Sequence, residues 1–150
     1  MVRIRTKGRY ALRIMLDLAQ QQTDAFIPLK EITERQGISI KYGEMIIGLL
    51  SKAGLVYSSR GKGGGYKLSR PAEEYSVGSV LKASEGSLAP VSCLELPKNI
   101  CPSAEHCETL PLWTELGRRI DEYLESVTIS DLVNQTSIFE KTSCIGSHNL

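Results

Sequence analysis

Apolar residues recur at Ala11, Ile14, Met15 and Leu18, the i, i+3, i+4, i+7 spacing of an amphipathic helix over residues 8–22. Asp24 and Pro28 interrupt that pattern, and Pro28 suits the first turn of a second helix running through Ile32. Gly37 breaks the chain again. Ser39 is placed to cap a third helix reaching about Ala53, with Ile40, Ile46, Ile47, Leu49 and Leu50 as its inward side and Gly54 as its stop. Two helices joined by a few residues that include a glycine form a helix-turn-helix. Leu55–Ser59 and Tyr66–Leu68 then flank R-G-K-G-G-G, which predicts two short strands around a glycine turn. A helix-turn-helix followed by a basic hairpin is a winged helix, with Arg60 and Lys62 at the wing tip.

Beyond Pro71, Ser76 caps a predicted short helix through Leu81 and Ala83, expected to abut the wing. Residues 86–104 carry Gly86, Pro90, Pro97 and Pro102 and read as a loop. A long helix follows from about Leu110 to Val127, with an apolar seam at Trp113, Leu116, Ile120, Tyr123, Leu124 and Val127. A small winged helix offers little surface to cover so long a helix, so the seam is expected to pair with a second copy in a homodimer. Thr128-Ile129-Ser130 starts a short helix around Leu132, and residues 136–150 read as a disordered tail containing Cys144 and His148. The expected fold is mostly α with a small β component (α+β). The reading divides the chain into a winged helix-turn-helix at 1–70, a linking helix and cysteine-bearing loop at 71–108, a dimerisation helix region at 109–135 and the tail.

Charge sharpens this division. The net charge of +1 conceals an asymmetry: residues 1–70 carry 13 Lys and Arg against 5 Asp and Glu, a balance of +8, whereas residues 71–150 carry 5 against 12, a balance of −7. A basic half is the footprint of a polyanion binder, since Lys and Arg displace counterions from phosphates. The acidic half is expected to dimerise or sense. No run of about 18 apolar residues suggests a membrane span, and the N-terminus lacks an apolar signal core, so a cytoplasmic location is expected. Cysteines there are usually reduced, which favours metal or redox chemistry over a structural disulfide.

Three of those cysteines, Cys93, Cys101 and Cys107, are spaced C-x7-C-x5-C and follow the segment that reads as a DNA-binding module. Three thiolates with one nitrogen or oxygen ligand suit an iron-sulfur cluster or zinc. Structural zinc sites usually use two short C-x2–4-C knuckles, which these spacings do not supply. A third option is a thiol switch without metal, in which two of the cysteines oxidise to a disulfide. An enzyme is not expected: Cys107 and His106 could form a nucleophile pair, but no oxyanion-donor motif accompanies them. The glycine run does not match a phosphate-loop spacing, and a strand follows it rather than a helix.

The chain resembles the winged-helix repressor family that includes the iron-sulfur cluster regulator IscR. The likeness covers roughly residues 3–133. It rests on T-K-G-R-Y-A-L at 6–12, M-L-D-L-A at 15–19, P-L-K-E-I-T-E-R-Q-G-I-S at 28–39, G-L-V at 54–56 and R-G-K-G-G-G-Y-K-L at 60–68. It implies a DNA-binding transcriptional regulator whose three cysteines hold a cluster, of the 2Fe-2S type in such proteins. Two departures stand out. The family's fourth ligand is a histidine three residues after the third cysteine, where this chain has Leu110; His106, Glu108, Cys144 and His148 are the candidates to replace it, His106 being the nearest imidazole. In the recognition helix, Lys41 and Met45 stand where the family has Ser and Gln, while Tyr42 and Glu44 match.

The start of a recognition helix faces base edges in the major groove, so Ser39, Lys41, Tyr42 and Glu44 are the candidate DNA-reading residues, joined by Arg60 and Lys62 on the wing. Lysine donates to guanine or phosphate, and glutamate accepts from cytosine N4. A carboxylate near phosphates also repels sites that lack that donor, although an ion pair on the helix surface would account for Glu44 as well.

Overall fold

The computed structural model describes residues 3–135. Six α-helices and one two-stranded sheet follow in the order α1 (Thr6–Gln20), α2 (Leu29–Gln36), α3 (Ile40–Lys52), β1 (Val56–Ser59), β2 (Gly65–Leu68), α4 (Val77–Glu85), α5 (Leu110–Ser126) and α6 (Ile129–Asn134). The tail at 136–150, with Cys144 and His148, lies outside the described residues.

Helix boundaries follow from local chemistry. Gly37 caps α2 in the left-handed conformation (φ 66°), returning its N–H to the carbonyls of Thr33 and Glu34. Two residues later the Ser39 side chain accepts from Tyr42 N and opens α3. Ser76 caps α4 by accepting from Ser79 N. Thr128 and Asp131 form a reciprocal capping box on α6.

The strands pair antiparallel from Val56↔Leu68 to Ser59↔Gly65. The wing is held to the body by Ile27 and Tyr66, which exchange backbone hydrogen bonds of 2.9 and 2.8 Å. Gly65 makes that approach possible: its φ is 145°, and a Cβ there would run into the Ile27 carbonyl.

One apolar cluster joins Ala11, Ile14 and Met15 of α1, Ile32 of α2, Ile46, Ile47 and Leu50 of α3, Tyr75, Val80 of α4 and Ile129 of α6. The inward side of α3 begins at Gly43 rather than at Ile40. Ile40 is 48% exposed, because the first turn of α3 projects past the core, and Leu49 is only half-buried. α4 packs mainly on α1, α5 and α3 rather than abutting the wing as expected.

Polar contacts lock the helices together. Asp17 of α1 is almost fully buried and takes hydrogen bonds from Arg35 Nη2 (2.7 Å) and Nε (3.0 Å to Oδ2) and from Gln36 Nε2 (2.9 Å). Gln36 Oε1 in turn accepts from Arg13 Nε at 2.9 Å. The fully buried Tyr75 hydroxyl donates to the Leu55 carbonyl (2.7 Å) and accepts from the amides of Ser69 (2.8 Å) and Arg70 (2.9 Å), closing the base of the wing. Glu85, at the end of α4, accepts from the amides of Arg5 (3.0 Å) and Gly8 (2.9 Å) with its side chain 5% exposed. It thereby supplies the carboxylate that the positive end of α1 lacks on its own first turn.

No residue of α5 is buried. Trp113, Ile120, Tyr123 and Leu124 are half-buried, Leu112 is exposed, and Val127 is buried just beyond the helix end. Lys82 of α4 pairs with Asp121 and Glu125 of α5. The start of α4 and the end of α5 meet at Ser76 and Thr128, where the two segments are pinned by Val77 N to Val127 O (2.8 Å) and Ile129 N to Tyr75 O (2.9 Å).

Candidate nucleic-acid interface and cysteine segment

The residues expected to meet DNA lie at the start of α3 and on the wing. Ser39, Lys41 and Glu44 are exposed, as are Arg60 and Lys62 at the wing tip. Lys41, Glu44, Arg60 and Lys62 form no ion pair with a described residue, so the surface ion pair open to Glu44 is not made and its carboxylate is free for a partner. Ser39 spends one lone pair on its cap and keeps its O–H to donate. Tyr42 differs from the other three: its ring packs edge-on against Tyr10 at 5.9 Å, and the Arg13 guanidinium covers Tyr10 at 4.7 Å. Tyr42 therefore braces α3 against α1 and leaves only part of its side chain exposed. At the wing tip, Gly61 and Gly63 carry the reversal, and Gly64 N closes it onto Gly61 O at 3.0 Å.

The E-R-Q-G stretch has its own role. Arg35 and Gln36 clamp Asp17 and so tie the end of α2 to α1. Hydrogen bonding to Asp17 holds the Arg35 guanidinium above its ordinary pKa. Sequence reading missed Asp17, Tyr75 and Glu85. The only local signal was an aspartate at a position adjoining the buried stripe of α1.

The cysteine segment is irregular. Cys93 sits in a single 3-10 turn at Ser92–Leu94, and a second turn spans Ala104–His106. The three described cysteines are unpaired and partly buried. The Cys101 amide donates to Asn99 Oδ1 at 2.9 Å, and Asn99 Nδ2 is buried without a partner. The Cys107 sulfur lies 3.5 Å from the Thr109 hydroxyl, and hydrogen bonding from Thr109 pulls its thiol pKa below the ordinary value. His106 ends its turn and Cys107 follows in extended geometry, so the two neighbours do not share a continuous helix. Leu110 opens α5. Among the described residues, no three Cys, His, Asp or Glu side chains are gathered in an arrangement that could hold a metal ion. No described helix is long and apolar enough to cross a membrane.

Comparison with known proteins agrees with this architecture. The HTH-type transcriptional regulator IscR of Yersinia enterocolitica is 42% identical over 139 residues, which span 93% of this chain and 84% of that protein. Among solved structures, CymR, the global cysteine regulator of B. subtilis, superposes with a TM-score of 0.71 at 33% identity, covering 91% of this chain and all of that one. T. potens IscR superposes with a TM-score of 0.67 at 34% identity, covering 90% and 88%. These relatives are regulators and not enzymes, and residues 4–135 match the Rrf2 family, described as an iron-dependent transcriptional regulator. A mostly helical winged body, a basic reader and relatives of this kind lead to one assignment: the chain belongs to the Rrf2 family and is a DNA-binding transcriptional regulator.

Proposed function

We propose that this chain is a cytoplasmic homodimer that reads a near-palindromic DNA site and whose affinity responds to an iron-sulfur cluster. In this reading Ser39, Lys41, Tyr42 and Glu44 of α3 enter the major groove while Arg60 and Lys62 track a groove or phosphates. The apolar, unburied stripe of α5 supports pairing with a second copy. Cys93, Cys101 and Cys107 are the cluster ligands, with His106 the candidate fourth, and the cluster is of the 2Fe-2S type.

The residues present fit such a group in their chemistry. Three unpaired thiols lie within one segment, the Cys107 thiol is biased toward thiolate, and the orphaned Asn99 amide is a donor of the kind that hydrogen-bonds cluster sulfurs. Because the thiols are not gathered beforehand, ligation must draw the loop together. A bound cluster would supply redox- and iron-responsive charge; everything else falls to the chain's own residues.

The observation that carries the reading is position. The cysteine segment starts directly after Glu85, which caps the first helix of the reader, and ends directly at α5. Ordering that segment therefore acts on the reader and on the dimer seam together, and it alters DNA affinity to the extent that the two states bind DNA differently.

The test is to purify the protein anaerobically, measure iron and acid-labile sulfide, and repeat with all three cysteines replaced by alanine. Brown protein that loses its iron in the triple variant, with changed affinity at some promoter sites, is expected. Unchanged iron removes the ligand assignment. Colourless protein indicates instead a zinc-containing or thiol-redox repressor, with zinc content separating the two. A monomer by light scattering at micromolar concentration, with or without DNA, removes the dimer. Arg60→Ala should weaken all good sites, whereas Glu44→Ala should relax sequence choice.

A further inference from the structure

The exposed side of α3 holds an apolar residue that neither capping nor the core explains. Met45 is 45% exposed, although α3 has a well-filled inward side at Ile46, Ile47 and Leu50. At 100° per residue, Lys41, Glu44, Met45 and Gly48 fall within one strip about 100° wide. All four are exposed. Where a Gly48 side chain would stand there is no heavy atom within 4 Å, so nothing on the protein crowds Met45 from the next turn. Ile40 is similarly exposed, but it lies outside this strip, in the first turn. A single exposed apolar residue on a protein surface ordinarily needs no explanation. Met45 differs because a free ammonium and a free carboxylate flank it on the surface that carries the helix's unpaired charges.

The floor of the major groove presents hydrogen-bonding groups and one apolar group, the C5 methyl of thymine. A thioether cannot donate a hydrogen bond and accepts only weakly, while its flexible, polarizable chain packs well on a methyl. We propose that Met45 is a specificity-determining residue that selects a thymine by packing on its C5 methyl, beside the base read by Glu44. This rests on the reading of α3 as the recognition helix and adds a base preference to it.

The experiment starts from the duplex that the wild-type protein prefers out of a randomised library. Each thymine is replaced in turn by deoxyuridine, which removes only the methyl, and Kd is measured by fluorescence anisotropy for wild type and Met45→Ala. For wild type, one replacement should weaken binding about fourfold, the equivalent of one buried methyl at ~0.8 kcal/mol. Met45→Ala should bind the thymine duplex more weakly and no longer distinguish it from the deoxyuridine duplex. The assignment is overturned if no single replacement changes the wild-type Kd, or if Met45→Ala keeps the same sensitivity at the same thymine. Lys41→Ala and Glu44→Ala separate the two levels of the argument. If neither changes affinity or sequence preference, the reader lies elsewhere and the α3 reading fails with it. If they do and methyl removal has no effect, Met45 alone loses its role.

Discussion

Replacing Arg35 by alanine isolates the interaction that ties the end of α2 to α1. Asp17 is 3% exposed, and Arg35 supplies its guanidinium contacts at 2.7 and 3.0 Å. The variant leaves a buried carboxylate with a single remaining donor, the Gln36 amide. Breaking a buried ion pair from one side typically costs about 3–5 kcal/mol, because the surviving charge stays desolvated. Here the Arg35 side chain is itself 36% exposed, so water can enter the space it vacates, and the lower end, ~3 kcal/mol, applies. For a chain of this size that corresponds to a fall in Tm of about 6–12 °C. The assay is thermal unfolding followed by far-ultraviolet circular dichroism at one fixed protein concentration, since an oligomer's Tm depends on concentration. Two controls sharpen it. Raising the salt should leave the loss almost unchanged, because buried pairs are poorly screened. Asp17→Leu combined with Arg35→Met should recover much of the loss, since an apolar pair removes the unpaired charge. A loss below about 1 kcal/mol that shrinks with salt would place the pair among ordinary surface salt bridges and refute the reasoning.

Tyr75→Phe leaves the Leu55 carbonyl and the Ser69 and Arg70 amides without their shared partner; a loss of about 2–3 kcal/mol is expected, with faster hydrogen exchange at those two amides. Gly43→Ala should destabilise by about 1–3 kcal/mol despite alanine's better helix propensity, because its Cβ would meet the buried Thr33 methyl; chemical denaturation of the variant checks this. Arg118 and Arg119 pull the Glu115 carboxyl on α5 down to about 2. A depressed acid stabilises the fold above its unfolded value of about 4.3 and loses that contribution as pH falls toward 2, so helical signal should decline across that window in wild type and less in Glu115→Gln.

The parts of this fold that were legible in the sequence are those set by neighbours in the chain. The period-3.6 stripe of α1, the Ser39 cap and the hairpin around four glycines each depend on residues a few positions apart, and each stands where expected. What escaped reading depends on partners far along the chain. Glu85 caps α1 across 77 residues or more, and Tyr75 closes the wing across 20. No local pattern marks either residue. The same limit explains α4, whose packing on α1 rather than the wing is a tertiary choice, and Tyr42, whose ring was free to face DNA until Tyr10 was placed beside it. At the cysteine segment the spacing offered three candidate thiolate ligands without choosing between a cluster, zinc and a thiol switch, and the irregular backbone between them carries no period from which an arrangement could be read.

The pinning of Val77 to Val127 and of Tyr75 to Ile129 fastens the start of α4 and the end of α5 at one place, and the cysteine segment is the irregular excursion that joins the far ends of those two helices. For such an excursion, lengthening is cheap: doubling a flexible loop adds only about 0.6 kcal/mol of closure entropy. Residues can thus be inserted into or removed from the cysteine segment with little effect on whether the DNA-reading body folds. Under the proposed function, change in that segment would be felt as altered sensing rather than as lost protein, so the signal could be revised while the operator stays the same.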